Sequence, residues 1–254
     1  LYAVKTGFNE KILRVLAFSD KAKTELNLHL ADLRLQEAEK LSVNGRINKS
    51  NKDKISENFS ATADMVAETI GKLSNEKKFD EAQKISSDFE ASLKAHSHVL
   101  KSIKKNKTGE SEEIINDLIN KIEGKVERVS GFGEKFFDSA IMHLQPKDLG
   151  RENAAEKRLQ AAKNSVEDVK NLIEEQKDQI GAEAVLQLQD NLDNVEKKIA
   201  EGQSIIDSNE EDLGGAVSLF NHADVMAKQS RKLIKIKERL GIKINMEINE
   251  EDDK

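Results

Sequence analysis

Five histidines, His29, His96, His98, His143 and His222, are the side chains of this chain that titrate near neutral pH without help from their surroundings. His96 and His98 stand two apart, which puts them on different sides of a helix. A helical metal pair needs a spacing of three or four. His96 falls on the apolar stripe of its segment and has two readings. It is either a structural, hydrogen-bonded histidine, or a ligand or pH-sensitive group in a pocket between helices. The chain has no cysteine, so thiolate nucleophiles, disulfides and cysteine-ligated metal centres are excluded.

The other candidates are weaker. The stretch Asp207-Ser208-Asn209-Glu210-Glu211-Asp212 resembles a calcium loop but carries Asp212 where the sixth-position glycine belongs. Gly131-Phe132-Gly133 lies within a helical pattern with no strand before it, so it is no phosphate cradle. No serine stands in a nucleophile-elbow context. These absences argue against catalysis, and no cofactor or metal is expected.

The most coherent polar feature is basic. Lys228, Arg231, Lys232, Lys235 and Arg239 follow spacings of 3, 1, 3 and 4 and form one stripe on a helix. Residues 228–243 hold seven Lys/Arg against one Glu, a net of +6, and residues 247–254 five acids against one Lys, a net of −4. One reading is cations that complement the negative end of a helix dipole. The other is a docking face for an anionic polymer, a membrane surface or an acidic partner. No aromatics interleave with these cations, and the chain's net charge is only −6, so specific nucleic-acid binding is not expected.

The elements that must carry these groups are helices. Of 254 residues, 35% are charged and 37% hydrophobic, with one proline, no tryptophan and ten aromatics (nine Phe, one Tyr). Apolar spacings of three and four run through most of the chain. They predict a short helix over Phe8–Phe18 and further helices from Ser19 or Asp20 to Leu41, Asp53 to Leu73, Phe79 to Lys104 and Ser111 to Leu144. Beyond Pro146 and Gly150 come three heptad-like rods, from Ala155 to Ile180, Val185 to Ile206 and Ala216 to Leu240. The acidic end, Asn245 to Lys254, is expected to fray. No apolar run approaches the roughly 20 residues of a membrane span.

The expected architecture is therefore all-α: an elongated bundle of about eight helices, built around thin cores. Residues 1–110 form an N-terminal domain, 111–145 a long connecting helix, 146–244 a C-terminal three-helix unit and 245–254 a tail. Arg34-Leu35-Gln36-Glu37-Ala38 echoes Arg158-Leu159-Gln160-Ala161-Ala162. The echo reflects either two related three-helix units or the coincidence of any two heptad patterns.

Leu1-Tyr2-Ala3-Val4-Lys5, Glu10, Val15-Leu16-Ala17-Phe18, Ala22-Lys23, Glu25-Leu26 and Leu28-His29-Leu30-Ala31 carry a family pattern. Arg34-Leu35-x-Glu37-Ala38 completes it. Over about the first 105 residues the chain resembles a bacterial extracytoplasmic helical family, domain of unknown function 5667, with Ala3 in place of the usual proline. The resemblance implies a location outside the cytoplasmic membrane, after a signal peptide or anchor, and supplies no activity or catalytic residue. The start at Leu1 fits a processed or trimmed chain. Arg34 and Glu37, three apart between Leu33 and Ala38, are expected to pair with partial burial. Together with His96 they make a candidate buried polar site. The expected function is a non-enzymatic extracytoplasmic structural or interaction module that docks a protein or an anionic cell-envelope partner through helical faces. The alternative is a small-ligand or metal-binding protein with an inter-helix pocket near His96.

Overall fold

The computed structural model describes the backbone of residues 20–143, 149–208 and 213–248, and side chains within 22–132, 153–208 and 213–248. The expected helix over Phe8–Phe18 and residues 249–254 of the acidic tail lie outside the described residues. Seven helices make up almost all of what is described: α1 (Asp20–Val43), α2 (Lys49–Asn75), α3 (Phe79–Lys104), α4 (Glu110–His143), α5 (Leu149–Ile180), α6 (Ala182–Asp207) and α7 (Leu213–Leu240). No strand occurs among the described residues.

The helix ends follow local chemistry. α2 begins four residues before the expected Asp53, because Asn48 and Asn51 form a reciprocal capping box. Asn51 N–H donates to Asn48 Oδ1 at 3.1 Å, and Asn48 N–H donates to Asn51 Oδ1 at 2.9 Å. What reads as a polar connection is therefore already helical from Lys49 onward. α1 and α2 both close in Schellman turns. Gly45 takes the left-handed position after α1 (φ 64°), and Lys77 takes it after α2 (φ 61°). The bonds Lys77 N–H to Ser74 O and Lys78 N–H to Leu73 O, both 2.9 Å, define the second turn. α4 stays helical through Gly124, Gly131 and Gly133.

One apolar core runs through the molecule. Phe59, Ile70, Leu93, Leu100, Ile115, Leu118 and Ile122 are fully buried in the first four helices, as are Leu188 and Met226 in α6 and α7. α4 lies along α3, and α2 packs against α1. In the second half α7 packs closely on both α5 and α6, and it also lies on α3, which joins the halves. Corresponding helices pair differently in the two halves. In the first, α1 and α2 are the close pair; in the second, α7 is the hub. Gly202 of α6 lets the ring of Phe220 reach the backbone, where a Cβ would stand 2.6 Å from a ring carbon. Leu33 is 37% exposed, because α1 turns Leu30, Ala31, Leu35 and Ala38 inward.

The expected fraying does not extend to residues 245–248. After α7 the chain turns at Gly241 (φ 62°) and runs extended as a strap. Ile244, Met246 and Ile248 are buried in alternation with exposed Lys243 and Glu247, the two-residue period of an extended chain. The strap lies between α3 and α6, which do not otherwise pack closely on each other.

Candidate functional site: a buried ion network around His96

α3 carries His96 into the core, where it has no solvent exposure. Both ring nitrogens meet carboxylates of α1: Nδ1 lies 2.6 Å from Glu39 Oε1, and Nε2 lies 2.7 Å from Asp32 Oδ1. An acceptor on each side requires a proton on each nitrogen, so the ring is an imidazolium. Burial opposes that charge, but Glu39 and Asp32 outweigh it and raise the His96 pKa above its ordinary value.

The carboxylates are themselves held by α7. Lys232 pairs with Asp32, and Arg239 pairs with Glu39. Ser92 Oγ adds a bond to Asp32 Oδ1 at 3.1 Å, and Gln36 Nε2 donates to Asp32 Oδ2. Burial pushes the Asp32 carboxyl up, yet His96 and Lys232 hold it well below the usual carboxylate range. Spacing makes this possible. Asp32 and Glu39 are seven apart on α1, and Lys232 and Arg239 are seven apart on α7. Seven residues are two helical turns, roughly 10.5 Å, so each pair shares one face. The imidazolium sits between the two carboxylates.

The basic stripe therefore turns largely inward. Lys228 Nζ contacts Asp88 Oδ1 at 2.7 Å, Asp224 Oδ2 at 2.8 Å and Ser87 Oγ at 2.7 Å. Burial would lower the pKa of this lysine, but Asp224 and Asp88 raise it on balance. Arg231 pairs with Asp168 at 3.0 Å, with both side chains about half exposed. Lys235 is exposed, and its pKa is lowered by partial burial and by its neighbours Arg231 and Lys232. Four of the five cations thus have carboxylate partners within the chain, and Lys228, Lys232 and Arg239 bind α7 to α1 and α3. An isolated positive surface on α7 is not what these side chains form.

Arg34 and Glu37 form the expected i,i+3 pair, with Arg34 Nη1 donating to Glu37 Oε2 at 3.0 Å and Arg34 8% exposed. That pair is separate from the His96 cluster, whose α1 partners are Asp32 and Glu39. The sequence reading missed Asp32, Gln36, Glu39 and Ser92. The available signal was the spacing of Asp32, Gln36 and Glu39 at i, i+4 and i+7 beside the apolar face of α1.

Chemically the cluster is closed. Neither nitrogen of His96 keeps a lone pair, and the two carboxylates sit on opposite edges of the ring, so the three groups cannot converge on one ion. Among the described residues no group of three or more His, Asp or Glu side chains is arranged to hold a metal. A cavity of about 450 Å³ lies elsewhere, at the α5–α6 turn, bordered by Gly181, Glu183, Lys237, Gly241 and Ile242.

Another polar cluster holds the strap by its main chain. His98 Nε2 donates to the Asn245 carbonyl at 2.6 Å. Met246 N–H donates to Gln187 Oε1 at 2.8 Å, and Asn191 Nδ2 donates to the Met246 carbonyl at 2.6 Å. Ile248 N–H donates to Asn191 Oδ1 at 3.0 Å, which completes a two-bond clamp by one buried amide. No helix among the described residues is long and apolar enough to cross a membrane. Compared with protein families, with curated proteins and with solved structures, the chain matches none.

Proposed function

We propose that this protein is a non-enzymatic interaction module that docks a protein or an anionic cell-envelope partner through its helical faces. The observation that carries the reading is the closure of the His96 network. The one deeply buried histidine among the described residues has both nitrogens committed to carboxylates, and those carboxylates are committed to Lys232 and Arg239. A general base must offer a free lone pair to a substrate proton, and His96 offers none. This network's polar groups are spent on joining α1, α3 and α7. What faces outward is helix surface, including Arg231 and Lys235 on α7 and the 63%-exposed Leu186 on α6. The N-terminal resemblance to domain of unknown function 5667 supports a bacterial, extracytoplasmic setting for this docking.

Chemical cross-linking in a cell-envelope preparation, with the mass of the pure chain measured in solution, tests the reading. Reproducible cross-links from helix surfaces to one defined partner are expected. Saturable turnover by the pure chain, in a screen of hydrolase and transferase substrates, would overturn it.

A further inference from the structure

We propose that the cleft between α3 and α6 is a docking groove for an extended peptide of a partner protein, with aliphatic residues at alternate positions, and that residues 242–248 cover it in cis. The proposal rests on the interaction-module reading and names the occupant of one surface.

Three observations carry it. The first is the kind of recognition. His98, Gln187 and Asn191 make four hydrogen bonds to the strap, all to main-chain groups of residues 245, 246 and 248. Side-chain identity is read chiefly through the buried positions Ile244, Met246 and Ile248, with one exposed ion pair from Lys243 to Glu183 at the rim. This resembles the addition of a strand to a sheet edge, with helix-borne amides standing in for the edge.

The second is what the groove demands when the strap is away. Asn191 is 1% exposed, and both ends of its amide are used on the strap. A buried amide without partners is strongly disfavoured, so the groove selects an occupant that offers free main-chain N–H and C=O groups. An extended peptide does so. A helix, whose main-chain groups are satisfied internally along its length, does not, and an acyl chain offers none.

The third is how the strap is attached. Gly241, in the left-handed region and with nothing near the place a Cβ would take, is the single residue that turns the chain from α7 into the strap. A half-open cavity of about 450 Å³ borders Gly241, Ile242 and Ile244, beside the root of the strap. α3 and α6 each pack against α7, which holds the two walls of the cleft in place without the strap.

The test uses the full chain and a fluorescent peptide with the sequence of residues 241–248, followed by anisotropy. The variant Ile244→Asp/Met246→Asp loosens the strap and leaves every groove residue unchanged. It is expected to bind the peptide at least about tenfold more tightly than the wild-type chain, and adding Asn191→Leu is expected to lose about tenfold again. On the wild-type chain, excess peptide should speed hydrogen exchange at the Met246 and Ile248 amides, a readout that needs no variant to fold. No saturable binding to a folded, strap-loosened variant, together with unchanged exchange, would overturn the proposal. So would a concentration-dependent dimer with the strap cross-linked between copies, since the occupant would then be a second chain. Partner cross-links that persist in the Asn191→Leu chain would leave the interaction-module reading standing while the groove fails.

Discussion

His96→Gln isolates the charge at the centre of the network while nearly filling the same space. The imidazolium is fully buried and bridges two carboxylates, so its removal leaves Asp32 with Lys232 and Glu39 with Arg239 as single pairs. Breaking a buried ion pair from one side costs about 3–5 kcal/mol, and a loss of that order is expected near pH 6. The pH dependence is the sharper readout. The folded pKa of His96 lies above its unfolded value, so the native state holds the extra proton and protonation favours folding. The contribution is fully present below about pH 6.5, the unfolded value, and is lost as pH rises through the folded one. Within that window the wild-type chain should lose about 1.4 kcal/mol per pH unit relative to the variant. Urea unfolding followed by far-ultraviolet circular dichroism suits a chain with no tryptophan and one tyrosine. The range pH 5.5 to 9 avoids the acid region, where protonation of Asp32 enters with the opposite sign: its stabilisation is present above about pH 3.9 and is lost as pH falls. The other histidines cancel in the difference between the two profiles. A difference that stays flat from pH 6.5 to 9 would refute the doubly donating imidazolium and the reasoning built on it.

Alanine at three cations of α7 should separate inward from outward pairing. Lys232→Ala and Arg239→Ala each remove the cation from an inward-facing carboxylate that keeps only His96 as its charged partner, and should cost about 2 kcal/mol, less than a fully unpaired buried charge, while Arg231→Ala breaks an exposed pair and should cost under about 1 kcal/mol. Equal effects in thermal melts would contradict the division. Gly202→Ala drives a methyl group into the fully buried ring of Phe220 and should destabilise the α6–α7 contact by about 1–3 kcal/mol; an unchanged urea midpoint would show that the ring yields freely. Lys77→Gly should do the reverse. It relieves a left-handed lysine in an otherwise well-bonded Schellman turn and should stabilise by up to about 1 kcal/mol, which a lowered melting temperature would contradict.

Periodicity made the helices legible, and it did so because almost every helix here buries one apolar stripe. The start of α2 escaped because its signal is Asn48 and Asn51, a capping pair inside a run that otherwise reads as a polar loop. The strap escaped for a related reason. Ile242, Ile244, Met246 and Ile248 alternate with Lys243, Asn245 and Glu247, a clear two-residue period, but it sits beside an acidic run that suggests solvent. Burial of such a segment depends on Gln187 and Asn191, over fifty residues away in the chain. His96 was legible as a buried polar residue, while its partners were not. Asp32 and Glu39 look like two more carboxylates on a charged helix, and only their seven-residue spacing beside the apolar face of α1 sets them apart.

The same ambiguity bears on why the chain keeps charges in its interior. Helix faces of Leu, Ile, Val and Ala pack against one another in several registers at similar free energy, since their stripes repeat every turn or two. Asp32, Glu39, Lys232 and Arg239 do not tolerate that freedom. A slip of α7 by one turn along α1 would leave the fully buried Glu39 carboxylate away from Arg239 and Asp32 away from Lys232, at several kcal/mol per uncompensated charge. His96, anchored on α3 and donating to both carboxylates, ties the same register to a third helix. A buried ion network adds little to net stability compared with apolar side chains of equal volume. Its effect lies in discriminating one packing of α1, α3 and α7 from its neighbours. That also explains why Lys232 and Arg239, two cations of the basic stripe, are committed to carboxylates of the protein itself.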